Sequence, residues 1–95
     1  MQSVTGGSIE NEYYNYKQDK VFTTYDLGCA AALITKGFKL VALDRTYPRK
    51  IQFIFEKTDE INDIINEYLI DTLEIKARSY FDNIRALKSR IYNSE

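Results

Sequence analysis

Apolar residues along this chain switch between a spacing of two and a spacing of three to four. Val21-Phe22-Thr23-Thr24 is a run of β-branched and aromatic residues suited to a pleated, half-buried surface. Leu27, Ala30, Ala31 and Ile34 then recur on one face of a helix. Thr24 or Asp26 can cap its start by accepting from a free amide of the first turn. Lys36-Gly37 ends it, with a cation near the negative end of the dipole and then a residue able to take positive φ. Gly28-Cys29-Ala30-Ala31-Ala32 carries almost no side-chain bulk, so this helix is expected to lie tightly against a sheet.

Phe38–Leu43 and Ile51–Phe55 read as two strands of a hairpin. Phe38, Leu40 and Ala42 alternate to one face, as do Ile51, Phe53 and Phe55, while Val41, Leu43 and Ile54 make the other face partly apolar. The connection Asp44-Arg45-Thr46-Tyr47-Pro48 supplies turn residues, with Pro48 placed in a loop because it lacks a ladder donor.

Thr58-Asp59-Glu60 opens a second helix, with a capping hydroxyl followed by two carboxylates on the positive dipole end. Ile61, Ile64, Ile65, Tyr68 and Leu69 form its expected core stripe. Leu73-Glu74-Ile75-Lys76 is open to three readings: a short strand, an extended connector, or helix continued through it. A last helix runs from about Ala77 to Tyr92, with Phe81, Ile84, Leu87 or Lys88, and Ile91 inward. The order strand, helix, strand, strand, helix, an optional strand, helix predicts an α+β domain with a small, mainly antiparallel sheet and helices packed on it. Residues 1–18 read as a flexible Tyr- and Asn-rich tail, and 19–95 as one domain. Tyr13, Tyr14 and Tyr16 could fold back onto the domain or sit on a partner.

Composition narrows the chemistry. With 95 residues, no histidine and one cysteine, the chain cannot build a Ser-His-Asp or Cys-His catalytic pair, a histidine zinc site or an internal disulfide. Cys29 among alanines reads as a small core residue, and Gly6-Gly7 lacks the Lys-Ser/Thr of a phosphate loop. No enzyme activity, cofactor or metal is expected. No apolar run reaches the roughly 18 residues of a membrane span, and no basic segment precedes an apolar one at the start, so no membrane and a cytoplasmic, reducing location are expected.

Net charge is −1, but it is distributed in blocks. Lys36, Lys39, Arg45, Arg49 and Lys50 face only Asp44 in one segment. Glu56, Asp59, Glu60, Asp63, Glu67, Asp71 and Glu74 then face only Lys57, and Lys76, Arg78, Arg85, Lys88 and Arg90 follow against Asp82 and Glu95. Such blocks can attract each other within one fold or between subunits.

Several of these spacings together resemble a known family. Thr24-Tyr25-Asp26-Leu27, Ala30-Ala31-Ala32-Leu33, Gly37-Phe38, Asp44-Arg45, Pro48-Arg49, Phe53-Ile54-Phe55-Glu56 and Leu87-Lys88-Ser89-Arg90 resemble a small domain of unknown function found in bacteriophage and bacterial proteins. The resemblance covers about residues 21–92 and brings no activity with it. It implies a small intracellular accessory protein of phage or mobile-element type.

Two binding surfaces follow from the charge pattern. Arg45, Tyr47, Arg49 and Lys50 combine phosphate-gripping cations with a ring that can stack on a base, and Arg78, Arg85 and Lys88 on the last helix could extend that surface. A solvated turn with Asp44 paired to Arg45 or Arg49, and ion pairs of Asp82 with Arg78 and Arg85, would account for the same residues structurally. Asp59, Asp63, Glu67 and Asp71 recur every four residues and would form a self-repelling stripe. That stripe is either solvated or docks a basic partner; one helix face cannot encircle an ion. The leading expectation is a non-enzymatic module that contacts nucleic acid or a nucleoprotein complex. The alternative is a protein-interaction module, an inhibitor or adaptor of a host or defence protein acting through the acidic face, as a monomer or a homodimer.

Overall fold

The computed structural model describes residues 20–47 and 49–93. The expectations for the tail, including Tyr13, Tyr14 and Tyr16, and for Pro48 lie outside the described residues. In chain order the elements are β1 (Val21–Thr24), α1 (Leu27–Thr35), β2 (Leu40–Tyr47), β3 (Lys50–Glu56), α2 (Ile61–Leu69) and α3 (Ala77–Asn93). The expected α+β class is therefore observed. The sheet order is β1-β3-β2, antiparallel throughout, with β3 in the centre.

The core is organised around α1. Cys29, Ala30, Ala31, Ala32 and Leu33 are all buried. Five consecutive buried positions exceed one turn of 3.6 residues, so this helix is enclosed around its whole circumference. Phe53 and Phe55 of β3, Ile61 of α2 and Leu87 of α3 close the cluster, and Phe22, Leu40, Leu43 and Ile51 of the sheet pack against it. All three helices therefore meet one face of the sheet. Gly28 shows why the small residues are needed, because a Cβ there would overlap the Tyr68 hydroxyl. The Tyr80 hydroxyl donates to the Gly28 carbonyl (3.3 Å), and Asn83 Nδ2 donates to Thr35 Oγ1 (2.8 Å), tying α3 to both ends of α1.

Both short helices end in the same backbone motif. After α1, Gly37 (φ 99°) donates to the Ile34 carbonyl and Phe38 to that of Leu33. This is a Schellman ending with the apolar contact that commonly accompanies it, since Phe38 and Leu33 share the core. After α2, Asp71 (φ 66°) donates to Tyr68 and Thr72 to Glu67. Aspartate tolerates this left-handed geometry better than most non-glycine residues. At the start of α1, Asp26 Oδ1 accepts from the Cys29 amide (3.2 Å), while Thr24 Oγ1 accepts from the Asp26 amide (3.0 Å). The two candidate caps thus act in series.

Several expectations change. β2 runs on to Tyr47, and the closing pair is Tyr47 with Lys50, so the expected connection from Asp44 is mostly strand. A bulge between Leu40 and Ala42 breaks the period of two: Leu40 pairs with Phe55 and Leu43 with Phe53, which brings Leu43 to the core face in place of Ala42. Thr58 gives no side-chain cap to α2, whose N-cap is Glu60 without a capping bond. Leu69 is 68% exposed because the helix stops there and turns away. Residues 72–76 are neither helix nor strand and connect α2 to α3. On α3 the inward stripe is Tyr80, Ile84, Leu87 and Ile91, and Phe81 is 54% exposed because Tyr80 takes the position over α1.

Two outcomes test this core. Ala31→Leu should overpack the enclosed helix and cost about 1–3 kcal/mol, read as a lower denaturation midpoint; an unchanged midpoint would contradict the burial of α1. The second concerns alkali. Burial, reinforced by the Asp26 carboxylate, pushes the Cys29 thiol up from 9.0 to about 11, and burial, Asp26 and Tyr80 push the Tyr68 hydroxyl up from 10.0 to about 12. Both groups favour the neutral form in the fold. Their contribution is complete below pH 9 and is lost as pH rises through about 11 and 12. Melting curves from pH 8 to 12 should show Cys29→Ala losing less stability than the parent between pH 9 and 11; parallel losses would remove Cys29 as a contributor.

Candidate nucleic-acid interface

The sheet face turned away from the helices carries the side chains that alternate with the core set. Across its middle, Thr23, Ile54 and Ala42 are cross-strand partners, and Ile54 is 8% exposed yet lies outside the core cluster. One step toward the hairpin tip, Gln52 of β3 is opposite Asp44 of β2. Tyr25, immediately past the end of β1, lies at this level. Its ring has Lys50 Nζ 5.3 Å from the centroid. Tyr25, Tyr47, Arg49 and Lys50 line one open groove, and Asp44, Thr46 and Gln52 line the adjoining recess with three of them.

The local chain explains this gathering. Between the pairs Asp44–Gln52 and Tyr47–Lys50, β2 spends one residue more than β3, so the strand bulges. The Thr46 amide (2.9 Å) and hydroxyl (2.6 Å) both donate to Asp44 Oδ1 within that bulge. These donors hold the Asp44 carboxyl below its ordinary range, so it is ionised at neutral pH. Tyr25 is 52% and Tyr47 62% exposed. Aromatic rings left in water beside cations are able to stack on planar ligands, and an ammonium over a tyrosine ring adds cation–π attraction.

The remaining sequence candidates are placed differently. Arg45 points to the helix side, where Nη2 donates to the Arg90 carbonyl (2.9 Å) and Nη1 to the Ile91 carbonyl (3.3 Å). It satisfies carbonyls of the last turn of α3 and places a cation at the negative end of that helix. Arg78 pairs with Asp82 (3.5 Å), and the Arg85 guanidinium lies 5.7 Å from the Phe81 centroid. Lys88 is exposed on α3, in the helix layer. The structure thus brings Tyr47, Arg49 and Lys50 together and does not bring Arg78, Arg85 and Lys88 into their groove. Asp63 and Glu67 lie on α2, Asp59 precedes it and Asp71 follows its left-handed end, so only two of the four acidic positions share the helix. Among the described residues no group of three or more Cys, Asp or Glu could hold a metal ion.

Tyr25 escaped the sequence reading. It stands 22 residues before Tyr47, in a Thr-Tyr-Asp run whose neighbours speak only of helix capping. A tyrosine left at the end of an edge strand, opposite a lysine-bearing strand, is the signal that could have found it.

The chain belongs to a family described as a domain of unknown function (DUF5659), whose model matches residues 19–93. No curated protein and no solved structure matches the chain. Among the described residues no helix is long and apolar enough to cross a membrane.

The clamp on α3 has a direct test. Arg45→Ala should lower stability by roughly 0.5–1.5 kcal/mol, the usual worth of surface hydrogen bonds to carbonyls. Amide exchange should quicken selectively in the last turn of α3. Exchange quickened uniformly over the domain would show that Arg45 does not act on that helix end.

Proposed function

We propose that this protein is a non-enzymatic binding module that holds single-stranded nucleic acid on the groove of Tyr25, Tyr47, Arg49 and Lys50. The observation that carries the reading is the pair of half-exposed tyrosines beside Arg49 and Lys50 on the side of the sheet turned away from α1, α2 and α3. Stacking needs unpaired bases, because a duplex hides their faces, and cations along the same groove neutralise the backbone. Membership of a family of unknown function neither adds to nor limits this reading. A phage- or mobile-element-type accessory role, in which the bound strand belongs to a nucleoprotein complex, is its natural setting.

The expected outcome is salt-dependent binding of single-stranded DNA or RNA oligonucleotides in fluorescence anisotropy, with duplexes weaker. Tyr25→Ala and Tyr47→Ala should each weaken binding by about tenfold, from the roughly 1–3 kcal/mol of one base stack. Arg49→Glu with Lys50→Glu should abolish binding at unchanged melting temperature, because exposed charges add little stability. Asp63→Lys with Glu67→Lys should leave binding intact. No binding by any oligonucleotide at low salt and micromolar protein would overturn the proposal.

A second reading has its own observation. Leu69 and Ile70 are exposed at the end of α2, on the element that carries Asp63 and Glu67. An apolar pair beside carboxylates suits a basic, partly apolar protein surface. Loss of a nuclease-resistant partner by the Asp63→Lys, Glu67→Lys variant in pull-down, with no oligonucleotide binding, would favour it.

A further inference from the structure

Resting on the proposed function, we infer that Asp44 and Gln52 make the groove selective for bases that present an exocyclic amino group, cytosine before thymine or uracil. The two residues are directly opposed across β2 and β3, a separation of about 4.5–5.5 Å between Cβ atoms. Both line the recess that continues from the stacking groove between Tyr25 and Tyr47. A base stacked on either ring therefore has its edge close to a fixed carboxylate and a carboxamide.

The chemistry of that edge decides the preference. Thr46 saturates Asp44 Oδ1 with two donors, and no described residue donates to Oδ2. The Thr46 bonds also keep the carboxylate oriented and ionised, so Oδ2 is an acceptor with no donor alternative. Cytosine offers N4–H₂ to that acceptor and turns N3 and O2 toward a donor, which the Gln52 amide supplies. Thymine and uracil place O4 where cytosine has its amino group, so an oxygen would face the Asp44 carboxylate. A carboxylate accepting from cytosine N4 is a recurrent pairing in base readout. Lys50, across the same recess, holds its ammonium over the Tyr25 ring.

The probes are fluorescein-labelled dC12 and dT12, titrated with the full chain at one fixed ionic strength. Binding of dC12 should be at least about fivefold tighter, the lower bound for one well-made base contact. Asp44→Asn keeps an acceptor for Thr46 but adds a donor to the side chain, so the ratio should fall toward one or reverse, while total affinity changes little. Gln52→Leu should also shrink the ratio, and melting curves report whether either variant is folded. Equal affinity of the parent for the two oligomers, or a preference for dC12 that both folded variants retain, would overturn the inference and leave the proposed function standing. Failure of both oligomers to bind would instead overturn the proposed function.

Discussion

The constraint on which the rest depends is the enclosure of α1. A helix buried on every side within a domain this small must be thin, because each unit of side-chain volume would push the sheet or one of the other helices outward. The run Gly28 to Ala32 meets that requirement, and Leu33 supplies the one large wedge toward Phe53 and Phe55. Once α1 fills the space over β3, α2 and α3 can reach the core only on the same side, through Ile61 and Leu87. Among the described residues the other side of the sheet receives no helix. The groove of Tyr25 and Tyr47 is a consequence of that one-sided layering as much as of its own residues.

The hairpin connects the two sides. Alternation along β2 sends Asp44 away from the helices and Arg45 toward them, so adjacent residues do opposite work. Arg45 fastens the strand to the end of α3, and Asp44 fastens the bulge through Thr46. The end of β2 is therefore anchored on both faces, and a ligand in the groove would not have to order Asp44 and Thr46, which lowers the entropic cost of binding. Two cations in the same basic segment differ in role for the same reason: Arg49 lies beyond the last paired residue of β2, whereas Arg45 lies within the strand.

Much of the fold was legible because local chemistry and global layout agree. Asp26 and Gly37 bracket α1 by mechanisms that need only neighbouring residues, and Ile51, Phe53 and Phe55 keep a strict alternation in the central strand. The misreadings occur where a tertiary contact overrides a local pattern. The bulge at β2 exchanges Ala42 for Leu43, since the larger side chain fills the space beside Phe53. Tyr80 displaces Phe81 because its hydroxyl finds the Gly28 carbonyl, a partner 52 residues away that no helical spacing announces. In the candidate site, Tyr47, Arg49 and Lys50 were visible as one short segment. Tyr25 belongs with them only through strand pairing, and Arg45 leaves them only through a helix end 45 residues on.

The two irregularities of β2 also bear on how copies of this protein meet. Among the described residues, the order β1-β3-β2 makes that strand an edge, eight residues long. A straight edge of this length is a template for sheet extension and aggregation. Here the spacing of its amides and carbonyls is interrupted near Val41 and again between Asp44 and Tyr47, so a regular strand laid against it would lose register twice within one strand length. The residue steps that turn Leu43 inward and seat Thr46 on Asp44 therefore also guard the sheet against growing by self-addition.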